Sequence, residues 1–385
     1  MTIQGIGLLA ALFAAPALQT QELIGISWEG DILRIDPVTA NATHIGSVSG
    51  IEFNSLSRDP QNRLFAVNHA AAEHPRLWRV DPVLGTVWPM HQVFLNDVRA
   101  LAHSPDGKLY AIDQAGGSHS WLYELDLTVP PGSSAIKILI DEILFGTQGL
   151  TILGASFASD GTFYGWSDWL GLIEIDPLDA TPTDVNGLFD GNNLIQSLAV
   201  AQDGTAIGGY ENLYDVDLAT GAMTLIGGPI GFGGVRGLEF LQDGPVPYCV
   251  GSLTSEFCIP TMTWTGSPSA TAGSGFSVNG TKFPSNRPGL LYYSTSGPAA
   301  VAFGPGWRCV GAPIVRTQAQ VSTGTAAQDC DGTLSFDFNA WIASGTDPQL
   351  TAGARVWCQY WVRDPPLNPP GQWALSDALQ FDIDP

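Results

Sequence analysis

Basic residues are scarce in this chain. Fifteen Lys and Arg face 37 Asp and Glu, a formal net charge of -22. Binding nucleic acid needs clustered cations against the phosphates, so that class of partner is excluded, and anionic membranes are disfavoured for the same reason. Cysteine is absent from the first 248 residues; all five (Cys249, Cys258, Cys309, Cys330, Cys358) come later. Histidine is absent beyond His119 and no C-x-x-C pair occurs, which argues against zinc in the cysteine-bearing part. A G-x-S-x-G nucleophile elbow, a phosphate loop and a D-x-D-x-D-G ligand loop are also missing, so neither a metal nor a cofactor is implied. Apart from residues 3–17, no run approaches the ~20 apolar residues that cross a bilayer. Residues 1–20, ending their apolar run in Ala15-Pro16-Ala17, read as a signal peptide, although no Lys or Arg precedes the run.

What the chain does have is recurrence. Leu33-Arg34-Ile35-Asp36-Pro37 returns as Leu77 to Pro82, Leu122 to Leu127, Leu172 to Pro177 and Leu213 to Leu218. The marker Asp residues, Asp36, Asp81, Asp126, Asp176 and Asp217, are 45, 45, 50 and 41 residues apart, the length of a four-stranded propeller blade. Each Asp is expected to hold a turn by accepting backbone hydrogen bonds. Between markers lie Asp-Gly turns at Asp106-Gly107, Asp160-Gly161, Asp203-Gly204 and Asp243-Gly244, with the weaker Asp59-Pro60-Gln61-Asn62. They read as type I′ hairpins followed by second strands at residues 63–67, 108–112, 162–166 and 205–209. Residues 23–27 look like a second strand with no first, and residues 237–244 like a first strand with no second. Joining them completes a blade from both termini and gives five, with a sixth, degenerate blade possible in residues 129–153.

The units nearly end in L-x-x-I-D-P-x-T-G, and over residues 22–244 they resemble secreted bacterial β-propeller repeat families. That resemblance implies a fold and no particular activity, since such propellers host binders, lyases and hydrolases alike. After Pro245-Val246-Pro247 the repeats stop. Residues 248–385 carry short alternating runs at 276–278, 290–294, 314–321, 333–338, 355–362 and 379–383, the pattern of a β-sandwich, with residues 355–362 bulky on both faces and therefore central. One helical turn is expected at residues 339–343. Cys249 with Cys258 and Cys309 with Cys330 are the sequence-local disulfide pairings, among fifteen ways of making two bonds. Tyr248-Cys249, Cys330-Asp331-Gly332, the run from Gln359 to Pro365 and Leu375 to Ala378 resemble a C-terminal module of many exported bacterial proteins. The likeness implies secretion or envelope placement. Such modules often end in Cys-Pro where this chain ends Asp384-Pro385, which implies that Cys358 lacks a partner.

In a propeller, the loops after the second strands share one end of the ring with the mouths of the first strands. The loops carry Trp28, Glu29, Asn68, His69, Asp113, Asp168 and Glu211; the mouths carry Asn54, Arg99, Leu153, Gln196 and Arg236. The polar members form the candidate ligand-binding set, in which carboxylates and amides would satisfy sugar hydroxyls and Trp would stack on a sugar face. The expected function is that of an exported, monomeric, non-enzymatic protein binding an extracellular glycan or surface protein. The alternatives are a hydrolase or lyase acting on a sugar or lactone, and a structural envelope protein. Two carboxylates within roughly 5 to 10 Å, or a His cluster, would favour the enzyme.

Overall fold

The computed structural model describes residues 21–69, 74–114, 116–117, 119–129, 132–187, 191–325, 330–367 and 371–385. The candidate signal peptide, residues 1–20, lies outside them. No helix among the described residues is long and apolar enough to cross a membrane. The architecture is all-β.

Residues 23–240 form four-stranded antiparallel sheets, each running from an inner to an outer strand in chain order. The second sheet comprises Phe53–Arg58, Leu64–Asn68, Arg76–Asp81 and Thr86–Gln92; the third, Val98–His103, Leu109–Gln114, Ser120–Asp126 and Ile136–Glu142. The fourth comprises Ile152–Phe157, Phe163–Ser167, Gly171–Ile175 and Pro182–Asp184; the fifth, Ser197–Val200, Ala206–Gly209, Leu213–Val216 and Met223–Gly227. The first sheet is assembled from both ends of the region: Val235–Phe240 is its inner strand and pairs with Leu23–Ser27, followed by Asp31–Ile35 and Ala42–Ser47. The long step in the repeat, before Ile152, is taken up by a two-stranded hairpin, Leu144–Phe145 with Gln148–Gly149.

Alternation sends successive side chains of a strand to opposite faces, so each sheet has apolar side chains for both neighbours. Ile24 and Ile32 meet Phe53, Leu64 and Val80 between the first two sheets. Phe65 and Leu77 meet Leu101 and Leu109 between the next two, and Tyr110 and Ile112 meet Phe163 and Ile173 beyond them. Trp166 and Leu172 meet Ile195 and Tyr214, and Ile207 and Leu213 return to Leu33 and Leu238. The inner strands touch in a closed cycle. Small residues allow this approach: a Cβ on Gly237 would lie 2.5 Å from the Leu56 backbone nitrogen, and one on Gly154 2.8 Å from that of Leu198. Sheets packed face to face around an axis, with both termini in one of them, fit a β-propeller.

The marker aspartates hold turns. Asp36 Oδ1 accepts from Val38 N at 2.8 Å, Asp81 Oδ1 from Leu84 N at 2.8 Å, Asp126 Oδ1 from Thr128 N at 2.8 Å, Asp176 Oδ1 from Leu178 N at 2.8 Å, and Asp217 Oδ1 from Ala219 N at 2.9 Å. The Asp-Gly turns differ from the type I′ expectation. Gly107 N donates to Ser104 O while Ser104 N bonds Lys108 O, and positive φ falls on Gly107 (90°) and not on Asp106. Gly161 and Gly204 repeat the pattern, and Asn62 takes the same place at φ 60°. Pro105 ahead of the Asp fixes a negative φ, so the chain makes a type I turn and recovers the strand through one left-handed residue, a three-residue loop with a bulge.

Besides a two-stranded sheet, Pro298–Phe303 with Gly306–Val310, the rest of the chain builds two more large sheets. One runs Val246–Tyr248, Trp373–Asp382, Arg355–Arg363, Pro288–Ser294 and Val315–Arg316, with Gln320–Val321 also on Pro288–Ser294; the other runs Thr261–Thr265, Ser277–Phe283 and Gly332–Asp337. Met262, Phe276, Phe283 and Leu334 from the second meet Leu291, Tyr360, Val362 and Phe381 from the first in one buried cluster. The strand bulky on both faces, Arg355–Arg363, is flanked on both sides, as its composition required. A single helix among the described residues, Phe338–Ala343, is capped by Asp337 accepting from Ala340 N. The cysteine pairing departs from the sequence-local expectation: Cys249 bonds Cys309 and Cys258 bonds Cys330, with Cys358 free and buried. Sequence proximity misleads because Cys249 follows an edge strand on Trp373–Asp382, which places it beside the Gly306–Val310 strand and not at Cys258.

The two parts are joined at the second sheet. Asp81 is fully buried and its Oδ2 accepts from Cys249 N at 2.6 Å; Arg79 Nη2 donates to Pro247 O at 3.0 Å. Val83, Leu84 and Trp88 pack on Tyr248 and Cys249, and Trp88 meets Trp307 at 5.5 Å between ring centroids.

Candidate functional site

At the mouths of four of the inner strands the pairing register skips a residue; Ser197–Val200 pairs without a skip. Phe53 pairs Asn68 and Ser55 pairs Val67; Val98 pairs Asp113 and Ala100 pairs Ile112. Ile152 pairs Ser167 and Gly154 pairs Trp166, while Val235 pairs Ser27 and Gly237 pairs Ile26. The residues passed over are Asn54, Arg99, Leu153 and Arg236, four of the five mouth residues. A bulge of this kind leaves one residue outside the ladder and re-aims its side chain, a device common next to binding sites.

Contacts link these residues across neighbouring sheets. Asp97 is the hub: Oδ1 accepts from Asn54 Nδ2 at 2.9 Å and lies 3.3 Å from His69 Nδ1, and Oδ2 meets the Arg99 guanidinium at 2.7 Å. His69 packs on Trp28 at 5.1 Å between centroids. The Arg236 guanidinium sits 4.9 Å over the Trp28 ring and 4.9 Å over the Tyr210 ring, and its Nη1 donates to Gln196 Oε1. Gln196 to Arg236 to Trp28 to His69 to Asp97 to Asn54 and Arg99 is thus one connected network drawn from the fifth, first, second and third sheets. Burial lowers the pKa of Arg236; Tyr210 opposes this and the positive charge of Arg99 adds to it.

Other members of the predicted set are placed differently. Asp113 is 1% exposed, with Oδ1 accepting from Asn96 N (3.0 Å) and Asp97 N (2.7 Å) and Oδ2 from Asn96 Nδ2 (3.2 Å). Its carboxylate builds the loop that presents Asp97. Asn68 is similarly engaged, accepting from Arg76 N and Trp78 Nε1 and donating to His69 O. Glu29 and Glu211 are exposed at the rim. Asp168 is half-buried on the fourth sheet, and burial holds its carboxyl above the ordinary range, opposed by a hydrogen bond from Thr151. The Trp28 ring, expected to be a stacking platform, instead lies between Arg236 and His69.

Two members were missed by the sequence reading, Asp97 and Tyr210. Asp97 stands two residues before Arg99, and that spacing along an extended segment is the signal that could have found it. Tyr210 follows the fifth second strand directly, as Trp28 follows the first.

Two buried polar atoms here have no hydrogen-bond partner, Asn54 Oδ1 and Arg236 Nε. The opposite end of the ring, where the Asp-Gly turns lie, opens into a cavity of about 200 Å³ lined in part by Arg58, His103, Ser104, Gln202 and Gln242. Its charged and ring groups are occupied: Arg58 Nε donates to Phe240 O at 2.7 Å, and His103 Nδ1 lies 2.8 Å from Ser57 Oγ. Asn54 Oδ1 and Arg236 Nε are two of eight such atoms among the described residues; Arg79 Nε, Trp88 Nε1 and His91 Nδ1 lie elsewhere in the second sheet, and the rest in the C-terminal part. Among the described residues no group of three or more His, Cys, Asp or Glu could hold a metal ion.

No protein-family model and no curated protein matches the chain. Several solved structures are similar to it. A nidogen/laminin complex chain aligns at 10% identity and a TM-score of 0.38 over 58% of this chain and 99% of its own length. TolB from Acinetobacter baumannii aligns at 15% and 0.36 over 67% of this chain, which spans 60% of the TolB chain. A structure from Xanthomonas campestris described as a gluconolactonase aligns at 15% and 0.34 over 54% of this chain and 76% of its own. At these levels the likenesses say nothing about what the chain does, and the fold rests on the sheets themselves.

Proposed function

We propose that the protein is an exported, monomeric binding protein that recognises an extracellular glycan at the loop end of a five-bladed propeller. Residues 21–245 would form the propeller, closed by its terminal strands, and residues 248–385 a disulfide-bearing β-sandwich. One observation carries the reading: Asn54, Arg99, Gln196 and Arg236 meet at one end of the ring with Asp97, His69 and Tyr210, and two buried polar atoms there are left unpaired. Buried polar atoms are nearly always satisfied, so two orphans within one polar network suit a ligand that supplies the missing bonds. The two disulfides and the resemblance of the C-terminal part support placement outside the cytoplasm. Screening the full chain on a glycan array, beside Arg236→Ala and Asp168→Ala, tests the reading: wild type should bind a defined set of saccharides and Arg236→Ala should lose them. A wild type that retains no saccharide would remove it.

The His69–Asp97 pair favours a second reading, a hydrolase or lyase acting on a sugar or lactone, because a carboxylate holding one imidazole nitrogen is how a general base is oriented. Turnover of aryl glycosides or an aldonolactone that is abolished by Asp97→Asn would select it over simple binding.

A further inference from the structure

We propose that the group recognised at the loop end is a carboxylate carried on a sugar, so that the ligand is an acidic, uronate-bearing glycan; this rests on the glycan reading above. The argument begins with charge. The ring holds 28 acidic and 9 basic residues before Tyr248, yet two of those bases, Arg99 and Arg236, join one network at the loop end, Arg99 through Asp97 and Arg236 through Gln196 and Trp28. Asp97 is the carboxylate in ion-pair contact there, and it is engaged by Arg99, Asn54 and His69.

Arg236 itself has no carboxylate partner among the described residues. Its guanidinium is held between the Trp28 and Tyr210 rings, its Nη1 meets a neutral amide, and its Nε is buried and unbonded. A partly desolvated guanidinium without a counter-charge is costly, and an anion that bonds it in a fork-to-fork manner is its natural complement. Two guanidinium groups against one carboxylate leave the cluster one positive charge in excess. Aromatic faces on both sides fix the plane of the Arg236 fork, so little freedom is lost when the anion arrives.

The surroundings decide what carries the anion. Glu29 and Glu211 stand exposed at the rim and Asp168 is half-buried on the fourth sheet. Carboxylates only accept hydrogen bonds, so they suit a ligand rich in hydroxyl donors and repel one with many negative groups. A uronate offers one carboxylate ringed by hydroxyls, which matches a cationic centre with an acidic rim. An acidic peptide offers several carboxylates and few donors.

Calorimetric titration of the full chain with trimers of galacturonate, glucuronate and mannuronate, each alongside its methyl ester, tests the proposal. At least one acid should bind, its ester should bind about tenfold or more weakly, and Arg236→Gln and Arg99→Gln should each lose about tenfold or more. Arg34→Gln, far along the first sheet and paired with Glu22, should bind as wild type. Circular dichroism of the variants checks folding, and if Arg236→Gln does not fold, the ester comparison and Arg99→Gln still decide. Equal binding of acid and ester, or binding of neutral array glycans but of none of the acids, overturns the proposal and leaves the glycan reading standing. Failure of every saccharide overturns both. Tighter binding of a hexaglutamate peptide than of any uronate overturns it in favour of a protein ligand.

Discussion

The two parts of the molecule close themselves by different means. The ring contains no cysteine and is completed by pairing its last strand, Val235–Phe240, with its first, Leu23–Ser27. The C-terminal part repeats nothing and is tied by Cys249–Cys309 and Cys258–Cys330, spanning 60 and 72 residues. Where similar sheets each offer an apolar face on both sides, the final strand is positioned by register and by the ring's own geometry. Where strands of unlike sequence must find one arrangement, covalent ties restrict the alternatives.

The comparison breaks most visibly if the ties are cut. Replacing Cys258 and Cys330 together by Ser should cost the C-terminal part about 4 kcal/mol, the loop-entropy figure for a closure of that span. Scanning calorimetry should show the transition of that part lowered and the ring's unmoved. Equal shifts of both would mean that the junction at Asp81 fuses them into one cooperative unit. The junction itself ranks second. Asp81→Asn places an amide nitrogen against Cys249 N or leaves Leu84 N without its acceptor, and should cost about 3 kcal/mol in urea unfolding. The same change at Asp217, an exposed turn in the same repeat position, should cost under about 1 kcal/mol.

That contrast between Asp81 and Asp217 also marks how far the sequence could be read. Both carry the repeat's turn signal, and both hold the turn that the signal implies. Nothing local to Asp81 says that Cys249, 168 residues away, will bond its second oxygen. Repetition made the ring legible: one misplaced strand at each terminus was enough to foresee that residues 23–27 pair with the strand expected at 237–244 and observed at Val235–Phe240, and counting back from each turn put Asn54, Arg99, Gln196 and Arg236 at the strand mouths. The turn type was misread because the Asp-Gly rule assumes a two-residue loop, whereas Pro105 fixes a negative φ and the turns with Ser159 and Gln202 in its place adopt the same three-residue loop. Spacing placed Asp113 and Asn68 at the loop end but could not say that neighbouring groups engage them, because it reports where a side chain starts and not what it bonds. The disulfide pattern depended on strand order, which the alternating runs after residue 248 do not encode.

A third effect, of similar size, sharpens the comparison through pH. Each part buries a carboxyl whose pKa burial brings near neutral: Glu239 in the ring, pushed up to about 7 from 4.5, and Asp377 in the C-terminal part, pushed up to about 6 from 3.8; burial raises Asp81 at the junction as well. An acid whose folded pKa is raised contributes stability that is full below its unfolded pKa and is lost as pH rises through the folded one. The C-terminal transition should therefore fall between about pH 4 and 6 and then level, while the ring's continues to fall to about pH 7. Each should lose about 3 kcal/mol. Glu239→Gln should flatten only the ring's profile, stabilising it by a similar amount at pH 8 and hardly at all at pH 4. A profile that flattens in both parts would show that Glu239 acts through the junction.

The smallest effect concerns the cysteine that neither part uses for closure. Cys358 lies on the central strand opposite Tyr293 and Leu379, fully buried, and burial pushes its thiol well above the ordinary range while a hydrogen bond from Leu379 opposes this. Thiol exchange requires the thiolate and access to it, so a dry thiol on a central strand is inert. A fifth cysteine can therefore coexist with two disulfides without exchanging with them once the sheet has formed. Cys358→Ala should cost only about 1 kcal/mol, since it removes one small apolar group. Native protein at pH 8 should not react with a thiol-specific chromogenic reagent, and the single free thiol should appear in full on denaturation. Rapid native labelling would mean that the C-terminal part opens locally, and its two ties would then be compensation for a weak core and not guides to its assembly.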